Sequence, residues 1–318
     1  MSIDRQLLTQ LRRFEDPRTG ILEQFVERRL GPRAALALLS GPLGEQRSLG
    51  WVICPSIGPE HGNLRRLEAR VARRLSGAGF PVLRIRPDVD PLQGVFDEID
   101  LSVRLREVED AVGLLPAESG AREVGLLGIL FGGTVAALLG DRLGLPAMAL
   151  VEPAARGGQY LREAMRRHAV GELMVAAESA VDVPDSSLAQ RPMHELSTAG
   201  HTRIRGLRLN RAEFEQVSTV NLADDLETFR GRSLLVGISP TGAVAPGLRK
   251  LHERLEALWG DVTLEVVEDP LPVPLGDYYY RNAGPNRVDT RLELDWKLAD
   301  AIVAWALDRV PAPSRSPA

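Results

Sequence analysis

Leu126-Leu127-Gly128-Ile129-Leu130-Phe131-Gly132-Gly133-Thr134 is the stretch that decides the fold of this chain. Val124 to Leu130 is an apolar run of strand length, and Gly133 to Leu143 is a small-residue run that reads as a helix. Glycines crowd the join between them, as they must where a strand turns sharply into a helix and the two backbones approach closely. The segment Val124 to Gly140 carries no charge, but Gly125, Gly128, Gly132, Gly133 and Gly140 make it a poor lone membrane helix. It reads as strand, turn and helix.

The rhythm outward from this turn fixes the architecture. Ile3 to Phe14 has helical spacing, with Leu7, Leu8, Leu11 and Phe14 on one stripe. Three strand-like runs follow, Ile21 to Val26, Ala34 to Leu39 and Leu49 to Cys54, with Gly31-Pro32 as a turn between the first two. Strands and helices then alternate: helix Leu64 to Leu75, strand Pro81 to Ile85, helix Ile99 to Leu115, the segment just described, and strand Ala147 to Val151. Residues 156–209 break the pattern; they are rich in charge, helical over Tyr160 to His168, and include Val183-Pro184-Asp185-Ser186-Ser187. Alternation resumes with helix Ala223 to Phe229, strand Ser233 to Ile238, helix Gly247 to Trp259, strand Val262 to Val267 and helix Leu292 to Leu307. Directly connected early strands predict an antiparallel start, and the helix-linked ones predict parallel pairing. The expected fold is α/β, an eight-stranded, mostly parallel sheet with helices on both faces. Residues 1–155 and 210–310 form its core, 156–209 a cap insertion, and 311–318 a Pro/Ser-rich tail whose composition predicts disorder.

With 44% hydrophobic and 26% charged residues the chain has the composition of a soluble globular protein. A net charge of −4 gives no electrostatic reason to expect a nucleic-acid partner. The single cysteine, Cys54, excludes an internal disulfide, and no apolar signal core follows Met1, so a cytoplasmic location is expected. Lysine occurs only at Lys250 and Lys297, an arginine bias that fits a GC-rich bacterial genome.

The element order and the Gly128-Ile129-Leu130-Phe131-Gly132 segment resemble the α/β-hydrolase superfamily, of the serine aminopeptidase and thioesterase type, at its nucleophile elbow G-x-S-x-G. Leu130 stands at the serine position. A narrower resemblance is to bacterial hydrolase-like proteins found with exosortase and extracellular-polysaccharide systems. It is carried by Leu126 to Ala136, Leu150-Val151-Glu152-Pro153, Gly158-Gln159-Tyr160-Leu161-Arg162, Gly206-Leu207-Arg208-Leu209 and Asn221-Leu222. In the superfamily the acid follows the seventh strand and the histidine the eighth. Here those places hold Gly237-Ile238-Ser239-Pro240-Thr241-Gly242, without a carboxylate, and Glu268-Asp269-Pro270 through Asn282, without a histidine. Acyl-enzyme chemistry needs a hydroxyl, a base and an orienting acid. The resemblance therefore implies a pseudo-hydrolase or a non-hydrolytic biosynthetic protein that binds a small hydrophobic or acyl-like molecule in an apolar pocket.

Ligands of such sheets lie beyond the strand carboxyl ends, which nominates the remaining candidates. Ser56, His61, Leu130, Phe131, Glu152, Ser239, Tyr278 and Tyr279 are expected to line a ligand site. His61, in Gly58-Pro59-Glu60-His61-Gly62-Asn63, is expected in an exposed loop ahead of a helix capped by Asn63, where it could donate to a ligand or act as a base. Cys54 beside His61 would be a competent nucleophile, although a free cysteine ending an apolar strand is more often a buried hydrophobe. An esterase or thioesterase using Cys54, His61 or Ser239 is the alternative reading. Glu152 either binds a ligand or pairs with Arg156 or Arg162. Tyr278, Tyr279 and Tyr280 suit a pocket wall or a homodimer interface. The histidines show no metal-ligand spacing, and the glycines match neither G-x-G-x-x-G nor a P-loop, so no metal or cofactor is expected.

Overall fold

The computed structural model describes residues 12–87, 100–178, 190–204, 207–258, 260–269 and 290–309. The first strands are β1 (Arg13–Asp16), β2 (Ile21–Leu30), β3 (Arg33–Pro42) and β4 (Leu49–Cys54). Helix α1 (Gly58–Gly77), β5 (Val82–Pro87), α2 (Leu101–Ser119), β6 (Glu123–Ile129), α3 (Phe131–Leu143) and β7 (Ala147–Val151) follow in alternation. The next segment holds α4 (Gly157–Glu178), α5 (Arg191–Thr198), β8 (His201–Ile204), β9 (Leu207–Asn210), α6 (Arg211–Ser218) and α7 (Leu222–Asp225). The chain then returns through β10 (Arg232–Ser239), α8 (Pro246–Leu258), β11 (Val262–Glu268) and α9 (Thr290–Arg309).

The main sheet runs β1-β2-β3-β5-β4-β6-β7-β10-β11, and β8 pairs only with β9 in a separate antiparallel ribbon. Pairing is antiparallel from β1 through β3 to β5. From β5 to β11 every pairing is parallel. The central strands are buried on both faces, as helix-covered parallel strands must be. One core, built on Trp51, Leu64, Leu127 and Leu298, lies under α1 and α9, and the other, built on Val52, Phe131 and Leu150, lies under α2, α3 and α8.

Three local expectations are corrected. The helix expected over Ile3 to Phe14 ends instead in strand β1, paired with Ile21 to Gln24 (residues 3–11 lie outside the described residues). A tight turn selects the strand: Asp16 Oδ1 accepts from Arg18 N at 3.0 Å, and Gly20 takes a positive φ of 68°. The sheet gains a ninth strand, and the third expected strand, β4, lies inside β5 rather than next to β3. Helix Ala223 to Phe229 is reduced to Leu222–Asp225, because Asp141 Oδ1 accepts from Thr228 N at 2.7 Å and Phe229 N at 2.6 Å and holds that stretch against α3.

Candidate functional site

Between β6 and α3 the backbone reverses at Leu130, which takes φ 53° and ψ −122°. Among the described residues only Leu130 and Glu152 combine a positive φ with a side chain. Such conformations cost of order 1–3 kcal/mol and persist only where the surroundings fix them. Leu130 is fixed on both sides: its N–H donates to Val151 O at 2.9 Å, and its carbonyl accepts from Gly133 N at 2.9 Å and Ala154 N at 3.3 Å. The flanking glycines are sterically required. A Cβ on Gly128 would lie 2.1 Å from Gly132 O, and one on Gly132 would lie 2.4 Å from Cys54 O. Leu130 itself is half-buried and packs, with Ile238, against the core under α1 and α9.

This strain makes an unusual expectation. Leu130→Gly releases the backbone while losing only half-buried surface, so stability should change by less than about 1 kcal/mol. Leu150→Ala, in the fully buried centre of β7, should cost roughly 2–5 kcal/mol in the same urea titration.

Glu152, at the end of β7, has φ 45°. Its N–H donates to Val236 O at 2.9 Å, and its Oε1 accepts from Ile238 N at 2.6 Å. The β7–β10 ladder stops at Val151 opposite Val236, and the carboxylate replaces the missing strand partner two residues further along β10. No ion pair to Arg156 or Arg162 forms. Burial raises the carboxyl's pKa, partly offset by the hydrogen bond from Ile238.

At the end of β4, the helix begins at Gly58 with Ile57 as its N-cap, not at Asn63. A proline in the first turn is what starts it early. His61 is therefore a helix residue, 4% exposed, rather than an exposed loop residue. Its Nδ1 is buried without a hydrogen-bond partner. Burial, and then the charges of Arg65, Arg104 and Arg86, pull its pKa down to about 3, so the imidazole is neutral. Two turns along the same helix, Glu68 is 5% exposed and its pKa is pushed up to about 7 by burial, against the opposing pull of Arg84, Arg65 and Arg86. Its Oε1 also lacks a hydrogen-bond partner. The sequence reading did not single out Glu68.

The remaining candidates are engaged locally. Ser56 Oγ donates to Glu60 Oε2 at 2.8 Å. Cys54 is buried in the core with Phe131; burial, then Glu68, raises its thiol pKa, and no hydrogen bond joins it to His61. Ser239 Oγ accepts from Ala243 N at 3.1 Å and Thr241 N at 3.3 Å, closing the turn after β10. Phe131 is fully buried, its ring stacked on Tyr160 of α4 at 5.6 Å between centroids. Leu207 of β9 sits against Gly58, where a Cβ would approach it to 3.2 Å, so the ribbon packs on the start of α1. Tyr278 and Tyr279 lie outside the described residues. Among the described residues no cluster of three His, Cys, Asp or Glu side chains could hold a metal, and no helix is long and apolar enough to cross a membrane.

The strand order, the helices on both faces and the strained strand-to-helix turn define the α/β-hydrolase fold. Solved structures share it: Est1E from Butyrivibrio proteoclasticus is 14% identical, with a TM-score of 0.58 over 89% of this chain and 98% of its own. A fungal esterase from Rhizomucor miehei is 14% identical, with a TM-score of 0.54 over 96% and 87%. A dienelactone hydrolase from Anabaena variabilis is 13% identical, with a TM-score of 0.50 over 92% and 100%. No family model and no curated protein matches the sequence.

Proposed function

We propose that this protein is a non-hydrolytic member of the fold, a pseudo-hydrolase or biosynthetic protein that binds a small hydrophobic or acyl-like molecule. The ligand would lie at the strand carboxyl ends, beneath a cap formed by residues 156–209. The observation that carries this reading is the side chain at the turn. The backbone there is held in the strained conformation that would project a nucleophile, yet it projects the isobutyl group of Leu130. Leu130 and Ile238 supply an apolar floor, and Glu152 supplies a carboxyl with a raised pKa beside it. A neutral His61 and this acid suit binding, or protonation, of a ligand oxygen better than acyl transfer.

The second reading is an esterase or thioesterase working through Cys54, His61 or Ser239, favoured by the activities in the names of the structural neighbours. Its thiol is buried and its serine hydroxyl closes a turn, which argues against it. A panel of p-nitrophenyl esters and acyl thioesters, with fluorophosphonate and iodoacetamide labelling of the folded protein, separates the two. No turnover and no labelling are expected. Turnover abolished by Cys54→Ala or Ser239→Ala would establish the hydrolase instead.

A further inference from the structure

We propose that Arg65 and Arg86, together with the imidazole of His61, receive an anionic end group of the bound molecule, a carboxylate or a phosphate. The inference rests on the non-hydrolytic binding reading and deepens it by naming the ligand's head group. Placement comes from the backbone. His61 and Arg65 are one turn apart on α1. Ile53 of β4 is paired with Arg84 of β5, so Arg86 reaches just past the carboxyl end of β4. Leu83 and Ile85 face the other core while Val82 faces the core under α1, so alternation turns Arg84 and Arg86 toward α1.

What distinguishes Arg65 and Arg86 is that neither is joined to an acid among the described residues. Further along the same face Arg73 and Arg84 both pair with Glu23, at 2.7 Å and 3.5 Å. Arg104 is buried against Glu107 at 2.8 Å. The guanidiniums of Arg65 and Arg86 make no ion pair or hydrogen bond with any described residue. Glu68 lies within their field, but no ion pair or hydrogen bond joins it to either, and burial raises its pKa to about 7, so it offsets their charge only in part. Burial and then the charge of Arg65 lower the pKa of Arg86, against the opposing pull of Glu68. Beside them stands His61, 4% exposed, with Nδ1 lacking a partner. Two guanidiniums and a neutral imidazole form a donor set for an oxyanion, which arginine binds through paired N–H groups. Leu130 at the adjoining strand end then takes the ligand's hydrocarbon.

The test is calorimetric binding of dodecanoate, dodecyl phosphate and 1-dodecanol to the full chain, which hold the hydrocarbon constant while varying the head group. One or both anions should bind at least about tenfold more tightly than the alcohol. The double variant Arg65→Ala, Arg86→Gln should remove that preference and leave dodecanol binding unchanged. Arg65→Ala alone, at an exposed position, should remove part of it and guards against misfolding of the double variant. The tighter anion identifies the head group. Equal binding of all three probes, unaltered by the variants, would overturn the anion site while leaving the apolar-ligand reading intact. Binding of none would overturn both.

Discussion

Gly128→Ala is expected to cost the chain roughly 3 kcal/mol or more, a large share of the roughly 5–15 kcal/mol that holds a typical domain folded. The added Cβ would sit 2.1 Å from the carbonyl oxygen of Gly132. Both atoms belong to the turn itself, with β6 on one side and α3 on the other, so neither can move without unpacking the central strand. Gly132→Ala should behave alike, because its Cβ would meet Cys54 O at 2.4 Å. Gly62→Ala is the control: a Cβ there has nothing within 4 Å, and it lies inside α1, where alanine should add about 1 kcal/mol of helix stability. Urea unfolding of the three variants measures the contrast directly. Equal effects at Gly128 and Gly62 would mean that the turn is not built as described.

The second large effect is on the pH dependence of stability. His61 is held at about 3 in the folded chain, against an ordinary value of 6.5, so below pH 6.5 only the unfolded chain takes up its proton, and acid destabilises the fold. Glu68 is held at about 7 against an ordinary 4.5, so between those values the folded chain keeps a proton that the unfolded chain has lost, and acid stabilises the fold. The two contributions oppose one another between pH 4.5 and 6.5. In Glu68→Gln the histidine acts alone, and stability relative to wild type should fall by on the order of 2–3 kcal/mol as pH drops across that window. In His61→Asn the carboxyl acts alone, and relative stability should rise by a similar amount. Denaturant midpoints at pH 4.5, 5.5 and 6.5 test the signs. Parallel pH profiles for both variants and wild type would show that neither group is buried as described.

Much of this was legible in the residues. The paired glycines around Leu130 announced a strand turning into a helix, and the runs at Leu49 to Cys54 and Val124 to Leu130 marked strands buried on both faces. What the sequence hid depends on distant partners. Arg13 to Asp16 continues a helical stripe, and only its pairing with Ile21 to Gln24 makes it a strand. His61 looked exposed because Gly58-Pro59 reads as a loop, whereas proline also suits the first turn of a helix. Glu68 falls on the apolar stripe of Leu64, Leu67 and Val71, and a carboxylate in that place was the available signal for a buried acid. That Arg65 and Arg86 have no ion-pair partner among the described residues had no such signal, since it follows from which arginines Glu23 and Glu107 engage.

One mass measurement bears most directly on a fold that holds its ligand without attacking it. The full chain is mixed with p-nitrophenyl dodecanoate and its intact mass is recorded under native and then denaturing conditions. The expected result is a native complex carrying the whole ester, which leaves an unmodified chain on denaturation and releases no nitrophenol. A denatured chain heavier by one acyl group, with nitrophenol freed in step, would contradict the non-hydrolytic reading.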